Sequence, residues 1–241
     1  MDWSDQGYFQ KTCFENTLQP LDVLIHFSAI MKPWLTVERQ QRQHDINEFL
    51  SHLLHFLQPS FLNMTWWPKW TLHGGPSQEQ NLEDLARGNK WDALTLPLPT
   101  MCDVDSCTLQ SLIQQWHDPL GMSNVLTTAS RGLVIHINRQ QDTVKDLRPV
   151  TLHPFSVELP ISATYQAPVI WNRYQIQALT YHIGMTVTSG HYRTMVRVQG
   201  PQNDEGWMNY EDSSLPERMT EPSSFQLKNL VLLWLKCDTP Q

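Results

Sequence analysis

Two eleven-residue segments constrain the fold of this chain more than any other feature. They are YQIQALTYHIG (Tyr174–Gly184) and SGHYRTMVRVQ (Ser189–Gln199), and only four residues separate them. Both are rich in the β-branched and aromatic residues that suit a pleated surface. A chain that reverses over so short a connection pairs its two strands antiparallel, because a parallel pair needs a crossover of a dozen residues or more. Further strands are expected at WDALTLPLP, GLVIHIN, HPFSVELPI, GWMNYED and LVLLWLKC. The first third differs. Phe14, Leu18, Leu21, Leu24, Ile25 and Ile30 recur at helical spacing, interrupted at Pro20. Ile46, Phe49, Leu50, Leu53, Leu54 and Leu57 form a second helical stripe, with Asp45 at its head and Pro59 after its end. TLQSLIQQW predicts one short helix, and residues 58–90 read as a loop-rich connection with short strands. Helices first and a mostly antiparallel sheet afterwards is an α+β arrangement.

The 241 residues suffice for one domain with a sizeable core. With no repeat and no linker, residues 1–241 are expected to form a single unit, helical over 1–60 and mainly β over 90–241. A hydrophobic content of 40% against 17% charged residues excludes a disordered chain. The net charge of −7 speaks against nucleic acid as a partner. The longest apolar run, Leu230–Leu235, is too short to span a bilayer. Cys13, Cys102, Cys107 and Cys237 have no zinc-ligand spacing. Without a signal-peptide pattern they are expected to be thiols in a reducing compartment, the cytosol.

Cys13 lies at the predicted start of a helix, where the dipole and the unpaired N–H groups favour a thiolate and can receive an oxyanion. A buried structural thiol is the alternative. Nucleophilic thiol chemistry also needs a base, and the base needs an orienting group. His191 at the start of one strand and the Glu211/Asp212 pair on the next can supply both. Gly190 beside the histidine leaves room for close approach of another backbone.

Three blocks together resemble the ubiquitin-specific protease domain, a papain-like cysteine protease fold. Its cysteine block has the form NTC(F/Y)xNxxLQ, and Lys11–Gln19 reads KTCFENTLQ. Its second block, QxDxxEFLxxLLxxL, is matched by QHDINEFLSHLLHFL from Gln43 to Leu57. SGHYRTMVR and WMNYEDS match the histidine block, and LVIHINR and VLLWLK echo the central and last strands. The matches occur in order from residue 11 to residue 236. The resemblance implies a helical thumb and a β palm, with Cys13 as nucleophile and His191 as general base. It implies Glu211 or Asp212 as the orienting acid, with a lean toward Asp212 because the family position carries a longer Glu here. Asp45 matches an acid that pairs with arginines in the ubiquitin tail, or it is a simple helix cap. Gln43 and Glu48 share its ligand-facing helix, and Gly190 and Tyr192 flank the histidine on the substrate side.

Departures are equally specific. The family's oxyanion asparagine, five residues before the nucleophile, is Tyr8 here, which leaves backbone N–H groups, Gln10 or the Tyr8 hydroxyl as donors. Residues 60–92 carry no cysteine, so a minimal form without the zinc-bearing fingers, with no metal and no cofactor, is expected. Trp66, Trp67 and Trp70 are expected in the core more than in a contact surface. The segment GMTVTSG (Gly184–Gly190) resembles the loop that closes over the ubiquitin tail, and an ordinary hairpin loop would look the same. The implied activity is that of a deubiquitinating cysteine peptidase, a monomer with ubiquitin or ubiquitinated proteins as partners. A protease for another ubiquitin-like modifier and a catalytically weak or inactive ubiquitin-binding module are the alternatives. A trimmed eukaryotic enzyme and a pathogen effector in a host cytosol fit the sequence equally.

Overall fold

The computed structural model describes residues 45–70, 86–99, 107–118, 122–141, 144–164, 166–186, 189–199, 205–211 and 214–238. All of them belong to one compact unit, Asp45–Gln241. The predicted helix after Cys13 lies outside the described residues, as do Tyr8, Gln10, Gln43 and Asp212.

The second predicted helix forms as α1 (Ile46–Leu57). Its stripe buries Leu50 and Leu54, and Asp45 caps its start by accepting the Asn47 N–H at 2.7 Å. The short helix α2 (Leu109–His117) is closed by a reciprocal Thr108/Ser111 capping box and buries Leu109, Leu112 and Ile113. A third helix, α3 (Ser224–Asn229), leads directly into the last strand. Among the described residues no helix is long and apolar enough to cross a membrane.

Fourteen strands follow in chain order among the described residues: β1 (Trp66–Trp70), β2 (Leu94–Pro97), β3 (Cys107–Thr108), β4 (Met122–Leu126), β5 (Gly132–Asn138), β6 (Gln140–Gln141), β7 (Val144–Lys145), β8 (Val150–Thr151), β9 (Ser156–Ile161), β10 (Ile170–Thr186), β11 (Ser189–Gln199), β12 (Glu205–Tyr210), β13 (Glu217–Met219) and β14 (Leu230–Cys237). Ten of them make one sheet, with the path β1-β4-β9-β10-β11-β12-β13 and a branch from β10 through β14 and β5 to β2. The branch exists because β10 is 17 residues long. Its first part, residues 170–175, pairs with β9. Its second part, from Ala178, pairs with β11 along the same edge. The opposite edge carries β14 from Tyr174 to Tyr181 and no further.

The strands that read as near-continuous apolar runs are covered on both faces, as such runs demand. Leu133, Val134, Ile135 and Ile137 of β5 are fully buried, with Leu233 of β14 and Leu96 of β2 beside them. Trp66 packs partly buried against this core and edge-on to Trp116 at 5.9 Å. The indole N–H of Trp67 donates to the Ser162 carbonyl at 2.9 Å. Trp66 therefore belongs to the core, Trp67 is half-buried, and the Trp70 side chain lies outside the described part.

One connection is tighter than the sequence pattern predicts. GMTVTSG is not a seven-residue loop: pairing continues past Gly184 to Thr186, opposite Ser189, with a register shift after Ile183. The glycines allow this by closeness rather than by looseness. A Cβ on Gly184 would stand 2.3 Å from the Ser189 carbonyl oxygen, and one on Gly190 would stand 2.4 Å from the Ile183 carbonyl oxygen. Neither distance is one a real side chain tolerates.

Candidate active site

His191 sits on β11 directly across from Ile183 of β10, and Arg193 sits across from Tyr181. Strand alternation puts His191 and Arg193 on one face and Tyr192 with its partner His182 on the other. On the His191 face, the carboxylate of Glu211, just past β12, forms a close ion pair with the Arg193 guanidinium. Both side chains keep roughly a quarter of their surface exposed: 28% for Arg193 and 26% for Glu211. Ser214 also donates to Glu211, at 3.4 Å. The family-position acid is thus engaged by an arginine two residues beyond the histidine.

On the other face a crevice of about 60 Å³ opens beside the head of α1, lined among others by Asp45, His136, Arg139, Lys145, His182 and Tyr192. Asp45 and Tyr192, singled out from the sequence, do come together here. The Ile46 N–H donates to the Tyr192 hydroxyl at 3.3 Å. Burial and the Asp45 charge push that hydroxyl up to about 12, while the Ile46 hydrogen bond works weakly against them. Gly190 belongs to the same region through His182: a Cβ on it would lie 2.4 Å from the His182 Nε2. The His182 ring stacks against Tyr192 with centroids 4.5 Å apart. Its pKa is lowered by burial first and by the Lys145 charge second, with Asp45 opposing. His136 is lowered by burial, again against Asp45. The crevice therefore combines the Asp45 carboxylate with two imidazoles whose charged forms burial disfavours, a phenol and the two cations Arg139 and Lys145, and Asp45 is the group in it that can receive a cationic visitor. Glu48 is an exposed first-turn acid of α1.

Two cations also line the crevice, in positions that no sequence pattern assigned to it. Arg139 is 4% exposed and donates to four backbone carbonyls: Asp146 at 3.0 Å, Arg148 at 2.8 Å, Leu227 at 2.7 Å, and Leu230. Burial brings its guanidinium down to about 10, with Asp146 the largest opposing charge. Lys145 donates to the carbonyls of His182 and of Gly184 (3.1 Å) and to Asn229 Oδ1 (2.8 Å). No group of three or more metal-ligating side chains occurs among the described residues.

The profile of the ubiquitin carboxyl-terminal hydrolase family matches residues 10–233, which include the cysteine, second and histidine blocks. The chain belongs to this family. Its fold is shared with the SAGA deubiquitinating module Ubp8/Sgf11/Sus1/Sgf73 bound to monoubiquitin, at TM-score 0.59 and 12% identity over 83% of this chain and 50% of that one. The same module bound to ubiquitin aldehyde gives TM-score 0.58, 12% identity, and again 83% and 50%. A form of the module lacking the zinc finger of Sgf11 gives 0.53, 12%, 75% and 42%. The chain therefore spans half, or less, of the length of these solved chains. No curated protein sequence is significantly similar to it.

Proposed function

We propose that the chain is a thiol-dependent deubiquitinating peptidase that cleaves peptide and isopeptide bonds after the terminal glycine of ubiquitin. The observation that carries this reading is the family match across residues 10–233, which spans both KTCFENTLQ and SGHYRTMVR. The Cys13 thiolate attacks the glycine carbonyl, the tetrahedral oxyanion is held by donors near Cys13, and His191 protonates the leaving amine. Water, deprotonated by His191, then releases the acyl group from sulfur. Asp45 at the crevice mouth receives an arginine of the ubiquitin tail, since a carboxylate can pair bidentately with a guanidinium. Asp212 orients His191, because Glu211 is already committed to Arg193. Ubiquitin-bound relatives of the same fold support ubiquitin as the partner; a single chain in a reducing cytosol is the form we propose.

Two observations favour a second reading, an inactive ubiquitin-binding module: the Arg193–Glu211 pair removes the family-position acid, and Tyr8 replaces the oxyanion asparagine. Ubiquitin carrying a C-terminal electrophile separates the two. A covalent adduct that disappears in Cys13→Ala is expected. Ubiquitin binding without an adduct refutes the peptidase and leaves the binding module. Electrophilic forms of other ubiquitin-like modifiers, run alongside, measure selectivity.

A further inference from the structure

Beyond Tyr181 the edge of β10 loses its strand neighbour, because β14 begins at Leu230 and pairs no further. Two carbonyls on the next stretch, those of His182 and Gly184, would otherwise lack that support. They are two residues apart and so point to the same edge. The Lys145 ammonium takes both, and its remaining proton goes to Asn229, the last residue of α3 before β14. An ammonium has three protons and no acceptor, so its hydrogen-bonding capacity is fully used. The residue framed by the two clamped carbonyls is Ile183, and Ile183 is the cross-strand partner of His191. On the far strand, Gly190 is pressed against the Ile183 carbonyl and the His182 ring, which leaves no slack between the clamp and His191.

We infer that Lys145 is a positioning residue: it substitutes for the missing strand and fixes the β10 backbone against which His191 is aligned with its nucleophile. This rests on the reading of His191 as general base. A cation with a purely structural role would, when removed, lower stability and leave the chemical step intact. A positioning cation changes the rate constant of that step, and its removal does not weaken ubiquitin binding. Burial and the Arg139 charge bring the ammonium down to about 8, and Asp45, His136, His182 and Tyr192 are the other titratable groups lining its crevice.

The test is Lys145→Met, which keeps the unbranched stem and deletes the three donors. With the ubiquitin electrophile at saturating concentrations, the limiting rate of adduct formation is expected to fall by roughly 10–10²-fold, the scale of a small misplacement of reacting groups. The half-saturating concentration should not rise by more than about twofold over the wild type. The imidazole resonances of His191 in isotope-labelled protein, followed against pH, should shift in the variant. That readout needs no activity, so it still judges Lys145 if the unmodified protein forms no adduct and the peptidase reading fails. Unchanged His191 resonances and titration together with a wild-type limiting rate overturn the inference. Should Lys145→Met not fold, Lys145→Arg decides the matter: it keeps the charge, but its planar fork does not meet the same three acceptors, so the His191 resonances should still differ from those of the unmodified protein. Identical His191 resonances in Lys145→Arg overturn the inference.

Discussion

The two glycines around His182 yield the sharpest prediction about the site. Gly190 has φ +152°, a backbone conformation that side-chain-bearing residues rarely adopt. Forcing alanine into it costs about 1–3 kcal/mol of backbone strain. The added Cβ would also stand 2.4 Å from both the Ile183 carbonyl oxygen and the His182 Nε2. Overpacking of that kind typically costs about 1–3 kcal/mol more, so Gly190→Ala is expected to lose about 2–6 kcal/mol. Gly184→Ala carries no such φ penalty, but its Cβ meets backbone on two sides: 2.3 Å from the Ser189 carbonyl oxygen and 2.8 Å from the Gly190 Cα. Backbone cannot rotate aside, so β10 and β11 must separate and a loss of at least about 2 kcal/mol is expected. Gly132 is the control. Its nearest atoms are side-chain carbons of Phe61 and Leu62 at 3.1 and 3.2 Å. Their small adjustment is offset by the roughly 0.4–1 kcal/mol that alanine gains by restricting the unfolded chain, so Gly132→Ala should lie within about 1 kcal/mol of wild type. Urea unfolding followed by tryptophan fluorescence measures all three. If Gly184→Ala and Gly190→Ala both fall within about 1 kcal/mol of the parent, or if Gly132→Ala costs as much as they do, the close-packed hairpin described above is wrong.

Asp45 offers a clean separation of cap from charge. Asparagine caps a helix as well as aspartate does, so Asp45→Asn should leave the melting temperature nearly unchanged while weakening ubiquitin binding about tenfold or more, measured by titration. Asp45→Ala should lose the binding and about 1 kcal/mol of stability as well. For the orienting acid, Asp212→Asn is expected to slow adduct formation by about 10²-fold or more, and Glu211→Gln by less than tenfold, because Glu211 serves Arg193. The reverse ranking returns the role to Glu211. For pH, Lys145 titrates lower in the folded chain than in the unfolded one, where a lysine has its ordinary value of 10.5. Between about pH 8 and 10.5 the unfolded state holds the extra proton, so this group's contribution to stability rises with pH while its clamp on β10 weakens. Unfolding and adduct kinetics on the same samples should therefore diverge above pH 8, and Lys145→Met should lack the divergence.

What the sequence revealed and what it hid follow from the range of the interactions. The bounds of β5 and β14 were readable because both strands are covered on two faces and contain little but apolar residues. The start of α1 was readable because Asp45 is a local signal, satisfied two residues away at Asn47. The six-residue helix α3 was missed: in SFQLKN only Phe225 and Leu227 are apolar, too few to show a period, and its Ser223/Gln226 capping box is the sole cue. At 184–190 the resemblance points to a loop where the strands pair to Thr186 and Ser189, and Gly190 serves the close approach that its place beside His191 suggests. Lys145 and Arg139 could not be found by any local pattern. Their acceptors are backbone carbonyls and an amide, many of them tens of residues distant, and carbonyls carry no sequence identity. The Arg193–Glu211 pair was within reach. The register of β11 and β12 sets Thr194 opposite Tyr210, so the next residues on each side face each other.

A lysine in place of a strand has a consequence for the crevice itself. β14 pairs with β10 no further than Tyr181, and beyond it the Lys145 side chain, not a strand, meets the His182 and Gly184 carbonyls beside the crevice. A four-carbon stem satisfies the same two carbonyls and leaves about 60 Å³ open. The substitution has an electrostatic cost, because it puts a cation beside the place where an arginine-bearing tail is proposed to pass. Three acceptors around the Lys145 ammonium and the Asp45 carboxylate at the mouth oppose that repulsion. Asp45 should therefore matter more for binding when Lys145 is charged than when it is replaced. The affinity lost in Asp45→Asn should be smaller in a Lys145→Met background, a coupling that a double-mutant cycle of ubiquitin binding reads directly. Strict additivity in that cycle would show that the two charges do not share the crevice.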